Sequence, residues 1–142
     1  MREPKGKLYT SNIEGLKYAP AHAEIWQITR TGNDITGAIV VRSLSPSPQL
    51  FERYLREWKG TQPREWWPLY ENAFLSELRG EEKLKSLRDI YKKLLLGKDI
   101  VLLCFCPDHR YCHRRLVGEF FKPYGVEVVE LNPIKSEQLS LF

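Results

Sequence analysis

Apolar residues follow two rhythms along this chain. Short runs rich in β-branched or aromatic residues fall at Leu8-Tyr9-Thr10 and at residues 24–29, 100–105 and 126–131, and each predicts a strand. The last two are almost unbroken, the pattern of strands covered on both faces and so of a parallel sheet. Residues 38–41 fit a further strand or an extended loop. The second rhythm is helical. From Pro48, Leu50, Phe51, Tyr54, Leu55 and Trp58 share one face, and Gly60 ends the run. A second stripe of Leu69, Tyr70, Phe74 and Leu78 predicts a helix from about Pro68, and Leu84, Leu87, Tyr91, Leu94 and Leu95 predict a third, closed by Gly97. From Asp99 onward the order is strand, loop, helix over about 112–121, turn at Gly125, strand: a βαβ unit with a right-handed crossover.

These elements predict an α/β fold, a small three-layer Rossmann-like open sheet, mostly parallel, with helices on both faces. The two Ser-Pro steps at 43–48 and the link at 60–63 read as ordered turns, and no internal repeat is visible. One domain is expected over residues 1–133, with a tail over 134–142. An open parallel sheet takes its ligand at the carboxyl ends of its strands. That edge would gather Thr10, Ser11 and Asn12, then Thr29 and Arg30, then residues 104–113, which makes Tyr9, Thr10, Ser11, Arg30 and Arg110 candidate ligand contacts.

At 142 residues the chain can bury a core without staples. No run reaches the roughly 18 apolar residues of a membrane span, and the opening residues lack the apolar stretch of a secretory signal, so a cytoplasmic protein without a membrane partner is expected. The formal charge of +4 makes anionic partners plausible, though 18 acidic residues mean that this is no polybasic arm. All three cysteines lie between positions 104 and 112, which suits a reduced site better than a disulfide framework.

The densest chemistry is Cys104-Phe105-Cys106-Pro107-Asp108-His109-Arg110-Tyr111-Cys112-His113-Arg114-Arg115. If a helix starts near Cys112, then His113, Arg114 and Arg115 fill its first turn, where the helix dipole disfavours cations by about 0.3–1 kcal/mol each. A bound anion would resolve that conflict, because backbone N–H groups and guanidinium groups would share it. The candidate catalytic residues are therefore Cys104, Cys106, Cys112, His113 and Arg114. Four readings stay open for the thiols. One of them, best Cys112, is a nucleophile or acid/base group activated by the helix start and its basic neighbours. Alternatively the cysteines with His113, and with or without His109, hold zinc, although the spacing matches no usual finger or ribbon. In a third reading the loop binds an anion without chemistry, and in a fourth Cys104 and Cys106 are small buried hydrophobes. Cys104 and Arg110 share the C-x5-R spacing of phosphate-cradling thiol enzymes, without the glycines of such a cradle.

With its "LYTSN" start, the "ITR" after the second strand and the "CFCPDHRYCHRR" segment, the chain resembles the bacterial and archaeal domain of unknown function 488 (DUF488), roughly from Lys7 to Leu131. Its most specific element is the triplet Cys112, His113, Arg114. The resemblance implies a small α/β domain without a settled activity. Members usually carry an acid two places after the first cysteine, where this chain has Cys106, so any base at that place would be lost or replaced. The last five residues, Gln138-Leu139-Ser140-Leu141-Phe142, resemble the Q-L-S/D-L-F peptide that docks bacterial replication and repair proteins on the sliding clamp. There Gln138 would anchor by hydrogen bonds while Leu139, Leu141 and Phe142 fill apolar pockets; alternatively the tail folds back onto its own domain.

Trp66 and Trp67 could stack bases but more often pin the start of a helix, and His22 reads as a surface residue. The leading expectation is a domain that binds or acts on a phosphate-bearing ligand, a nucleotide or nucleic acid, recruited to DNA replication or repair by its tail. A non-catalytic adaptor and a Cys/His metal-binding domain are the alternatives. Whether it is an enzyme is left open, no cofactor is expected, and the leading reading assigns no metal.

Overall fold

A computed structural model describes residues 4–134. Five parallel strands, β1 (Leu8–Ser11), β2 (Glu24–Gln27), β3 (Ala38–Val40), β4 (Ile100–Leu103) and β5 (Val128–Glu130), form one sheet in the order β3-β2-β4-β1-β5. β4 lies at the centre, and all four of its residues are buried. Its unbroken apolar run is what a doubly covered parallel strand requires. The run at 38–41, open between strand and loop, is β3.

The register separates the two faces. Thr10 and Trp26 both pair with Leu102, so the three share one face; Ser11 and Gln27 both pair with Leu103 and share the other. The α-helices α2 (Pro63–Leu78), α3 (Glu81–Leu95) and α4 (His113–Phe120) pack on the Leu102 face, where Leu8, Leu102 and Cys104 join Phe74, Leu87 and Leu116 in a single core. Helix α4 comes down close because Gly118 has no side chain: a Cβ there would stand 3.1 Å from the Thr10 methyl. The Leu103 face is covered more thinly, by a 3-10 turn at Glu14–Tyr18 and by residues 28–37. Buried Gln27 fastens that loop, donating to Thr29 Oγ1 at 2.9 Å and Asn33 O at 3.0 Å and accepting from Ile35 N at 2.8 Å. The sheet is thus an open α/β sheet with helical cover on both faces, but the α-helices crowd one of them.

Helix boundaries differ from the sequence pattern in two places. The helix α1 covers only Pro48–Arg53, capped by Ser47 Oγ accepting from Leu50 N, and then widens into a π turn over Tyr54–Trp58 before Gly60 ends it at φ +87°. Helix α2 starts at Pro63 rather than near Pro68, which lies inside it. An internal proline forfeits a backbone hydrogen bond, and the packing of Trp66, Trp67, Tyr70 and Phe74, all buried, offsets that loss. Trp66 and Trp67 are therefore packed residues rather than an exposed platform, and His22 sits at the surface with Nε2 2.8 Å from Asp99 Oδ2. Among the described residues no helix is long and apolar enough to cross a membrane.

Candidate functional site

Right-handed crossovers send the chain from β1 to β2 to β3 in one direction along the sheet, and from β3 to β4 to β5 in the other. The connections leaving neighbouring β2 and β4 therefore part company, and such a divergence opens a crevice at the carboxyl edge. A pocket of about 170 Å3 occupies that place. Thr29, Arg30 and Thr31 line it from the end of β2, and Cys104, Phe105 and Cys106 from the end of β4. Cys112 and His113 enter from the start of α4, while Phe51, Tyr54, Trp66 and Tyr70 close the far side. The π turn places Tyr54 here, and π turns are frequent at functional sites.

The three thiols converge: all Sγ atoms lie within 4.8 Å of one another, with Cys104 and Cys106 3.9 Å apart. Alternation along the strand gives Cys104 and Cys106 one face, and Cys112 reaches them as the extended residue capping α4. Cys106 hydrogen bonding lowers the Cys104 pKa, but the interaction with Cys112 and burial outweigh it and drive the thiol strongly upward. The Cys106 thiol is pushed up to about 12 by Cys104 and by burial, against a lowering by Cys112. In both cases burial and a neighbouring thiol favour the protonated form.

His113 is buried, and its Nε2 lies 2.7 Å from Ile28 O. A carbonyl only accepts, so Nε2 directs a proton at Ile28 O, and in the neutral ring the lone pair is then on Nδ1, 3.8 Å from Cys104 Sγ.

The first-turn cations of α4 find their anions inside the protein. Arg114 is fully buried and forms a two-pronged pair with Glu130, Nε to Oε1 at 3.0 Å and Nη2 to Oε2 at 3.1 Å, while Nη1 donates to Cys106 O at 2.8 Å. Thr10 Oγ1 and Asn132 N add two more donors to the same carboxylate, at 2.8 and 3.0 Å. The external anion expected on sequence grounds to balance Arg114 is therefore replaced by an internal one. Arg115 likewise meets Glu71 and Glu119, each at 3.4 Å.

Other expected contacts scatter. Thr10 serves Glu130; Tyr9 and Ser11 point to the opposite face of the sheet, where Ser11 Oγ donates to Asn12 O. Arg110 grips Asp108 with two prongs, at 3.1 and 2.9 Å, and holds that carboxyl below its ordinary range. It does not line the pocket, so the C-x5-R cradle does not form there. Arg30 does line it. Its guanidinium donates to two carbonyls, Pro46 O at 3.0 Å and Arg42 O at 3.4 Å, and meets no carboxylate among the described residues. Sequence reasoning missed Glu130, whose signal was an acid closing an otherwise apolar strand, and it missed the aromatic wall. One member of that wall, Trp66, has a buried Nε1–H without an acceptor among the described residues. Gln138, Leu139, Leu141 and Phe142 lie outside the described residues.

A family model described as the active DUF488-N3 subclade, DUF488-N3a, matches residues 8–125. The chain belongs to the DUF488-N3a family. No curated protein and no solved structure matches it. The DUF488-N3a match takes in every residue of the pocket and stops short of Glu130, the partner of Arg114.

Proposed function

We propose that this protein is a cytoplasmic nucleotide-handling domain: the crevice between β2 and β4 takes a planar base against its aromatic wall and holds the attached phosphate on Arg30. The observation that carries the reading is the state of that arginine. Arg114, Arg115 and Arg110 have carboxylate partners, whereas Arg30 lines the pocket with its charge unmatched by any described carboxylate. A charge-assisted hydrogen bond to a phosphate oxygen satisfies it, and such bonds are the strong ones. At about 170 Å3 the pocket is smaller than the roughly 300–1,000 Å3 that encloses a whole drug-sized ligand. Part of the nucleotide therefore stays outside, which fits a base held within and a sugar-phosphate at the rim. Recruitment to replication or repair by clamp docking of residues 138–142 belongs to the same proposal and rests on the peptide's sequence.

The test is calorimetric titration of the full chain with adenosine and cytidine 5′-monophosphates, beside the matching nucleosides. We expect a monophosphate to bind more tightly than its nucleoside, and Arg30→Met to erase that preference, a loss of about 10- to 100-fold for an interaction of 1.5–3 kcal/mol. Equal binding by wild type and Arg30→Met, or no binding of either monophosphate, refutes the reading. Capture of the clamp by the chain with and without residues 138–142 tests recruitment, and equal capture rejects it.

A further inference from the structure

We infer that Cys104, Cys106 and Cys112 form a binding site for one thiophilic divalent cation, zinc by the chemistry of the donors, in the wall of the pocket. Tetrahedral zinc with Zn–S bonds of about 2.3 Å holds its sulfurs about 3.8 Å apart. Cys104 and Cys106 already stand 3.9 Å apart, and the whole trio lies within 4.8 Å, so closing on an ion asks each thiol for about 1 Å of movement or less. The trio comes from two separate elements, the end of β4 and the cap of α4, fixed against each other by the core. It is therefore built before any ion arrives.

The surroundings match a metal site in two further respects. A histidine beside a metal usually donates its second ring N–H to a carbonyl or carboxylate, which fixes its tautomer. His113 does this with Ile28 O, which leaves Nδ1, 3.8 Å from Cys104 Sγ, as the nitrogen that a small ring movement would bring to the ion as fourth ligand. Arg114 Nη1 also lies 3.6 Å from Cys112 Sγ, so a thiolate there has a charged donor beside it. Cys104, Cys112 and His113 are buried, and only half-buried Cys106 opens toward solvent. Ordinary thiol packing accounts for burial. It does not account for three sulfurs converging with an imidazole nitrogen 3.8 Å from one of them. Binding replaces thiol protons with the ion, three protons leaving as three S–metal bonds form, and requires no redox partner.

The experiment uses the full chain, kept reduced with a phosphine, equilibrated with zinc in the presence of a competing chelator and then with cobalt(II). We expect one zinc per chain and, with cobalt, intense thiolate-to-metal charge-transfer absorption. Cys106→Ser should weaken zinc binding by more than the about 10- to 100-fold that losing an outer-shell partner costs, with an unchanged circular dichroism spectrum. The inference is overturned if wild type retains no more zinc than the triple Cys→Ser variant, or if cobalt binds without the charge-transfer band. Should the serine variants unfold, the cobalt spectrum of wild type still decides. Arg30→Met leaves zinc binding intact in this account, so failure here and failure of the nucleotide reading are separate results.

Discussion

Two arginines near the carboxyl edge of one sheet have opposite fates. At the corner of α4 and β5, Arg114 is fully buried and its charge is spent on Glu130, itself held by Thr10 and Asn132. In the crevice between β2 and β4, Arg30 is fixed by two backbone carbonyls and meets no carboxylate among the described residues. The first arginine closes the fold by tying the last strand to the last helix. The second equips a pocket. A basic residue in a reactive-looking motif is therefore not automatically a basic residue in a site, and the carboxylate beside it decides.

The largest effect should come from breaking the corner. Arg114→Met strands Glu130 in a largely buried position, and removing one partner of a buried pair costs about 3–5 kcal/mol. Denaturant unfolding should show the midpoint falling accordingly. Adding Glu130→Gln to Arg114→Met should recover much of the loss, because the stranded charge is gone; no recovery would mean that Arg114 matters through Cys106 O and Cys112 rather than through Glu130.

On the crevice side the contrast inverts. Arg30→Met, which should weaken monophosphate binding by about 10- to 100-fold, should lower unfolding stability by about 1–3 kcal/mol, less than Arg114→Met, since it gives up two hydrogen bonds to carbonyls and strands no buried charge. A stability loss as large as that of Arg114→Met would erase the distinction between the two regions.

A third probe addresses the pocket wall. Gly32 sits at φ +101°, and a Cβ there would press on the Phe105 ring at 2.5 Å. Gly32→Ala should cost about 1–2 kcal/mol in backbone strain and displace Phe105, so that thermal unfolding and nucleotide affinity fall together. Loss of stability with unchanged affinity would remove Phe105 from the ligand wall.

The smallest effect belongs to a more accessible pair, Arg110 with Asp108. Arg110 holds the Asp108 carboxyl below its ordinary range, so the contact contributes above that range and is lost as the pH falls through the depressed value. Asp108→Asn keeps the cap on Arg110 N and should cost about 1 kcal/mol or less at pH 7, since both side chains still reach solvent. The difference between the unfolding curves of variant and wild type should shrink as the pH falls below the ordinary carboxylate range; a difference that stays constant would assign the effect to something other than charge.

Much of the scaffold was legible because burial writes itself into periodicity. The unbroken run 100–103 announced a central parallel strand, and the strand, loop and helix that follow it announced the βαβ unit. The site was legible as a locus rather than as a mechanism. Cys104, Cys106, Cys112 and His113 do meet, because alternation along β4 and the cap of α4 are local properties. The fate of Arg114 was not legible, since Glu130 lies 16 residues further along and only the β1–β5 register and the close seat of Gly118 bring the two together. Nor was the aromatic wall: Tyr54 and Trp66 line the pocket from a π turn and from a helix that starts at Pro63, five residues before the start the apolar stripe predicts. Tertiary packing made those choices, and periodicity carries no trace of it.

The most direct measurement follows the indole 1H–15N resonances of the four tryptophans during titration with cytidine and adenosine 5′-monophosphates. Trp66 lines the crevice with an unpartnered N–H, whereas Trp26 packs beside Glu24 and Lys93, its N–H already given to Glu24. If the crevice is the ligand site, the Trp66 resonance moves with saturable dependence on nucleotide and the Trp26 resonance stays still. A stationary Trp66 at nucleotide concentrations that shift other residues would contradict it.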